Sequence, residues 1–150
     1  MQKVDIFIKT TAKGPAIKKH AAYMYVLKTV VNGKEFIGNG KGALENVTEN
    51  QATLQVIIHA LMRFRKKCEI RINTSCEHVL NSCRNAWPQQ WEKAGWTKAN
   101  GKKVKNADLW QQYLNVSCGH VIRWSDSPHE FTKYMEYELK KMEAEWTRER

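Results

Sequence analysis

No run of apolar residues in this chain approaches the roughly 20 needed to span a bilayer. Its opening stretch, MQKVDIFIKTT, carries an aspartate inside a short apolar run, unlike a signal peptide. The four cysteines, Cys68, Cys76, Cys83 and Cys118, form no CxxC pair and have no histidine at zinc-site spacing. They are expected to be free thiols, mostly core filler, and the location implied is cytoplasmic with no membrane partner. Asn39-Gly40-Lys41-Gly42 is glycine-rich, yet it lacks the spacing and terminal Lys-Ser/Thr of a phosphate-cradling loop, and reads as a mobile strand exit. The five histidines are scattered singly, so neither a cofactor nor a metal site is expected. With no repeats, low-complexity segments or second-domain linker, residues 1–150 read as one domain large enough to bury a core without disulfides.

Acid is scarce as well. Fifteen Asp and Glu stand against 25 Lys and Arg, giving a formal charge of +10 and a pI near 9.5. Such an excess favours a polyanionic partner, nucleic acid first and an acidic protein second.

The chain reads as a mixed α/β fold. Val4, Ile6 and Ile8 alternate with Asp5, Phe7 and Lys9, the period-two pattern of a strand with two distinct faces. Thr10 to Lys19 comes next, with Gly14-Pro15 as a turn. Ala21 to Val31 and Glu35 to Gly40 are strands joined through Asn32-Gly33, a dipeptide that accepts the positive φ values of a tight hairpin. Three antiparallel strands result. From Thr48 the period becomes helical, with Thr53, Ile57, Ala60 and Phe64 on one stripe, and a helix is expected to about Arg65. Cys68 to Thr74 alternates again, and the intervening helix makes this strand parallel to the first. A short helix from Cys76 to about Asn85 comes after it, and then a tryptophan helix with Pro88 in its first turn and Gly95 at its end. Asn106 is the expected N-cap of the next helix. His120 to Trp124 is a fifth strand, and a last helix carries Phe131, Met135 and Leu139, with Glu136 and Lys140 as an i,i+4 pair. Its tail, EAEWTRER, reads as a solvated extension over about 140–150.

Trp87 to Gln112 is the densest stretch. Four of the six tryptophans (Trp87, Trp91, Trp96, Trp110) and five lysines (Lys93, Lys98, Lys102, Lys103, Lys105) surround the turn-prone Ala99-Asn100-Gly101. Flat π-faces and cationic tips in one small hairpin of helices suit nucleic acid. The alternative is a Trp-anchored helix pair whose lysines are merely solvated.

These residues also carry a resemblance. Trp87, Trp91, Gly95-Trp96, Gly101-Lys102-Lys103-Val104-Lys105-Asn106 and Asp108-Leu109-Trp110-Gln111 stand in an order that resembles the helix, basic protrusion and next helix of type 1 ribonucleases H. The resemblance extends over roughly Val4 to Leu139. It implies a ribonuclease H-like fold: a five-stranded mixed sheet, three antiparallel hairpin strands and then parallel ones, flanked by helices, with the basic protrusion at about 87–112. It also implies cleavage of the RNA strand of an RNA–DNA hybrid, using two metal ions held by four acidic residues. Magnesium wants hard oxygen ligands, and in-line attack on phosphate needs both attacking and leaving oxygens clamped. At the four matching positions stand Lys9, Thr53, Ser75 and Tyr137, with Glu136 one residue from the last. The loop SDSPHEF keeps only His129 as a counterpart to the family's mobile histidine. On this ground the chain is expected to be a catalytically degenerate member, with no catalytic residue, no metal, and no enzymatic activity.

Binding does not need the acids. The resemblance places Trp87, Gln90 and Trp91 along the groove for the DNA strand, and Thr48 and Asn50 near backbone contacts, while Trp96 and Trp110 are core anchors. Lys93, Lys98, Lys102, Lys103 and Lys105 would neutralise phosphates, and Lys9 would either hold a phosphate or pair with Glu136 or Glu130. The first reading is therefore a non-catalytic binder of RNA–DNA hybrid, or of double-stranded RNA or DNA. The alternatives are a protein-interaction module and a nuclease rearranged around Glu136 or His129.

Overall fold

The computed structural model describes residues 1–14 and 17–149, so the expected turn at Gly14-Pro15 lies partly outside the described residues. Strand β1 (Gln2–Thr10) buries Val4, Ile6 and Ile8 in the main core and sends Asp5, Phe7 and Lys9 to the opposite face, as the alternation requires. It pairs antiparallel with β2 (Lys19–Val31), which pairs antiparallel with β3 (Lys34–Val47). Asn32 and Gly33, at φ 52° and 77°, make the hairpin turn between them.

β3 departs from expectation. It continues through the glycine-rich stretch, where the sequence suggests a mobile exit, and ends only at Val47. The rings of Tyr25 and Tyr23 lie over Gly40 and Gly42 so closely that any side chain there would collide with them. The glycines are in the strand to admit tyrosines from its neighbour.

Helix α1 (Glu49–Leu61) starts with a reciprocal capping box: the Thr48 hydroxyl accepts from the Gln51 N–H at 3.2 Å, and Gln51 Oε1 accepts from the Thr48 N–H at 3.1 Å. It lays Leu54, Ile57, Ile58 and Leu61 on the sheet, each burial contributing about 1.5–3 kcal/mol. The helix stops short of Arg65, because the chain turns after Leu61 and Arg63 reaches back to β3, donating to the Asn39 carbonyl at 3.1 Å.

The α1 crossover makes β4 (Cys68–Asn73) parallel to β1, and β5 (Val121–Ser125) runs parallel to β4. Between them lie α2 (Glu77–Arg84), α3 (Trp87–Lys93) and α4 (Ala107–Ser117). The sheet order is β3-β2-β1-β4-β5, the predicted mixed arrangement. Helix α5 (Thr132–Glu149) covers part of the other face, where Met135 and Leu139 meet Phe7, Ala22, Met24 and Val26.

The tail of α5 is not simply solvated. It stays helical, and Trp146 stacks on His20 with centroids 3.8 Å apart and planes 10° from parallel. Glu136 pairs with Lys9 rather than with Lys140. Cys68 and Cys76 are buried and Cys83 half-buried, but Cys118 is exposed, so that thiol fills no core.

Candidate nucleic-acid interface

The protrusion is built from left-handed turns. Ala86, at φ 54°, swings the chain out of α2 so that Pro88 sits in the first turn of α3, where a missing N–H costs nothing. Gly95 and Trp96, at φ 68° and 64°, reverse it again, and the Trp96 N–H reaches the Trp91 carbonyl at 2.8 Å. Beyond Trp96 the chain forms a short two-stranded tongue rather than the expected hairpin of helices. Thr97 bridges Lys103, the Lys98 N–H donates to the Lys102 carbonyl at 2.7 Å, and Asn100 Oδ1 accepts from the Lys102 N–H at 3.0 Å.

Trp110 anchors the assembly. It is fully buried, with Trp91 edge-on at 5.6 Å and Tyr113 at 5.9 Å. Among the described residues its indole N–H has no acceptor, which lowers its net contribution without removing it. Trp96 is half-buried, as a second anchor should be, and its carbonyl accepts from the Val104 N–H at 3.0 Å.

Asn106 is not a side-chain cap. It too adopts a left-handed conformation, φ 59°, which carries its side chain away from the first N–H groups of α4. Its Oδ1 instead accepts from Gln51 Nε2 at 3.1 Å, tying the protrusion to the start of α1.

Lys93, Lys98, Lys102, Lys103 and Lys105 are all exposed, and none is in an ion pair among the described residues. Trp87 is 39% exposed and stands 6.3 Å from Trp91, which is half-buried. Gln90 is exposed and donates to the Asn85 carbonyl at 3.2 Å. Thr48 and Asn50 sit at the start of α1 with their side chains already engaged: Thr48 in the capping box, Asn50 accepting from the Cys76 thiol at 3.2 Å.

A second cluster forms where β1, α1 and β4 meet. Lys9, Thr53 and Ser75 line one narrow crevice together with Lys13, Glu49 and Cys76. Tyr137 does not join them; it is 64% exposed on α5. Its neighbour Glu136 does turn inward, with Oε1 3.5 Å from the Lys9 ammonium. On the α5 side of Lys9 lies a cavity of about 220 Å³, lined also by Thr11, Lys13, Lys140 and Glu143. His129 packs against the Phe7 ring at 4.2 Å, and its Nδ1 accepts from the Phe131 N–H at 3.1 Å. Burial, and then the nearby Lys9 charge, hold its imidazole below the ordinary range, with Glu130 opposing.

These groups do not fit a pair of divalent cations. The position nearest β1 presents an ammonium, two others present hydroxyls, and the fourth faces away, where hard anionic oxygens are required.

Two features had no signal in the sequence. The open half of the outer sheet face carries Arg71 paired with Asp5 at 2.9 Å, Arg123 with Glu69 at 3.5 Å, and Lys28 between Glu35 and Glu130. A cavity of about 600 Å³ beside β5 is lined by Cys83, Tyr113, His120 and Trp124 among others. Burial pushes the Cys83 thiol up to about 12 and raises the Tyr113 phenol as well, so neither is a ready nucleophile.

The RNase H family model matches residues 7–126. The chain belongs to the ribonuclease H family. The ribonuclease H of Cupriavidus necator is 31% identical over 124 residues, which cover 83% of this chain and 81% of that protein. Shorter matches, to the ribonucleases H of Thermoanaerobacter species, are 30% identical and span 54% of those proteins, about half their length. Among solved structures, LC9-RNase H1, a type 1 RNase H with the type 2 active-site motif, superposes with a TM-score of 0.75 at 15% identity, covering 93% of this chain and 71% of that one. LC11-RNase H1 in complex with RNA/DNA hybrid gives a TM-score of 0.59 at 15% identity over 91% and 92% of the two chains. The ribonuclease H fold inferred from the resemblance is thereby established.

One inference from the sequence is corrected. The replaced acids suggest a chain that is not an enzyme, but its relatives are named ribonuclease H, an enzyme, and its family is theirs. Titratable groups are gathered in the region, since Glu49, Glu136 and His129 surround Lys9.

Proposed function

We propose that this ribonuclease H family member binds nucleic-acid duplexes, RNA–DNA hybrid first, across the surface running from the Trp/Lys protrusion through the start of α1 to Lys9. The observation that carries the reading is the set of five exposed lysines without ion pairs among the described residues, on and beside the tongue that follows the Trp87 helix. Lysines so placed neutralise phosphates without reading sequence. Trp87 and Trp91 offer faces to the sugar and base side of one strand, with Gln90 between them. Thr48 and Asn50 contribute through the start of α1. The hybrid bound by the LC11-RNase H1 neighbour supports the choice of polymer.

Residues 1–150 form one domain in this reading. A cytosolic location belongs to it too, supported by four free thiols. No helix among the described residues is long and apolar enough to cross a membrane.

The test is binding of purified protein to matched RNA–DNA hybrid, double-stranded DNA and double-stranded RNA at two salt concentrations, with magnesium present and product sizes read afterwards. The expected result is binding that falls steeply with salt and is tightest for hybrid. Absence of binding at low salt would overturn the reading in favour of a protein partner. Product sizes report directly on hydrolysis.

A further inference from the structure

We propose that Lys9 is a metal-independent phosphodiester clamp: its ammonium holds a backbone phosphate of the bound duplex after exchanging the Glu136 carboxylate for it. The inference rests on the duplex-binding reading above and names the contact made at the centre of that surface.

Four observations lead there. First, Lys9 stands at the junction of two recesses, the crevice toward Thr53 and Ser75 and the 220 Å³ cavity toward α5, and Lys13 lines both. Second, the Lys9 side chain is only 18% exposed, so its stem is held by its surroundings. Third, its partner is a loose one. The separation of 3.5 Å exceeds the roughly 2.7–2.9 Å of a close charge-assisted hydrogen bond, and Glu136 is 52% exposed, free to rotate into solvent. Fourth, the groups around the recesses balance: Lys9, Lys13 and Lys140 against Glu49, Glu136 and Glu143. A neutral site of this kind has no room for an added anion unless a carboxylate yields its cation, and Glu136 is the carboxylate seen on Lys9.

An ammonium is suited to this exchange. It is a compact point charge with three donors and needs no second ligand shell, so it can pass from a carboxylate to a phosphate oxygen by a small rotation of its stem. The Ser75 hydroxyl is exposed and bonded to no other group among the described residues, which leaves it to donate to the same phosphate. Glu49 and Thr53 at the start of α1 line the Lys9 crevice, and Gln51 in the same turn bonds Asn106, so α1 links the clamp to the protrusion.

The experiment measures affinity for matched RNA–DNA hybrid, over a salt series, in magnesium and in EDTA at equal ionic strength. The wild type is compared with Lys9→Met, which keeps the stem, Glu136→Gln, which keeps the shape, and the triple variant Lys102→Ala/Lys103→Ala/Lys105→Ala. Thermal melts confirm that each is folded. Lys9→Met is expected to weaken binding about tenfold and to lower the salt slope by about 0.9, the loss of one phosphate contact. Glu136→Gln is expected to tighten binding severalfold, and wild-type affinity to be equal in magnesium and EDTA. If Lys9→Met fails to fold, Glu136→Gln and the EDTA comparison decide. The clamp is overturned if both single variants bind within twofold of wild type while the triple variant is weakened, an outcome that leaves the wider interface intact. It is also overturned if EDTA abolishes binding. Wild-type protein that binds no duplex would remove the interface and the clamp together.

Discussion

The protrusion and the open half of the outer sheet face both gather cations and treat them differently. On the sheet, Arg71, Arg123 and Lys28 each find an acid on a neighbouring strand or loop, because strands set side chains about 4.8 Å apart and let opposite charges meet across the ladder. On the protrusion, successive left-handed turns fan out five lysines, none of them ion-paired among the described residues. A formal charge of +10 therefore says little about where a polyanion docks. What sets the protrusion apart is that its unpaired lysines are grouped beside the exposed Trp87.

Substitutions can break that contrast at several depths. The largest effect is expected from Trp110→Ala, which removes the fully buried anchor of the protrusion and should cost about 3–5 kcal/mol of unfolding free energy, read by urea denaturation. Its missing indole partner places the outcome toward the lower end, and the same variant should lose duplex affinity as the lysines lose their mount. Next comes the triple lysine variant of the tongue. Its stability should stay within about 0.5 kcal/mol of wild type, while the slope of log affinity against log salt falls by up to about 2.7, three phosphate contacts at about 0.9 each. Arg71→Ala makes the reciprocal case: a stability loss of about 1 kcal/mol or less, since the pair is partly exposed, and no change in duplex affinity. Equal losses of affinity from the tongue and from Arg71 would abolish the distinction between the two regions.

The smallest effect concerns pH. Burial is the first cause that holds His78, His120 and His129 below the ordinary imidazole range, so the folded chain favours their neutral forms and the unfolded chain binds protons more readily. Their contribution is complete above an ordinary imidazole pKa of about 6.5 and declines as pH falls through that value toward the folded ones. Denaturation midpoints at about pH 7.5 and 5.5, on either side of that value, should differ in that direction. A higher midpoint at the acidic pH, once carboxylate effects are allowed for, would contradict the assignment.

Much of the frame was legible because its causes are local. The alternation of Val4, Ile6 and Ile8, the Asn32-Gly33 turn, the Thr48 start of α1 and the Ala99-Asn100-Gly101 turn each depend on a few adjacent residues. The features that escaped depend on partners far along the chain. Gly40 and Gly42 look like a strand exit until Tyr25 and Tyr23 are seen above them. Asn106 has the composition of a cap, but its backbone conformation is set by the tongue and its side chain by Gln51. Glu136 had two partners open to it in the sequence, Lys140 on its own helix and Lys9 on β1, and tertiary placement decides for Lys9. The gathering of Lys9, Thr53 and Ser75 came from family resemblance, not from any periodicity in this chain.

The stack of Trp146 on His20 joins residues 126 positions apart (146 − 20). Contacts that span such a loop form late, since closure entropy must be met before they repay it. During synthesis the five strands are complete before α5 is made, and Ala22, Met24 and Val26 on β2 wait uncovered until Met135 and Leu139 arrive. The final helix is expected to act as a clasp that shuts after the sheet has assembled and opens first, so amide exchange should be fastest at its distal turns and slowest in β1.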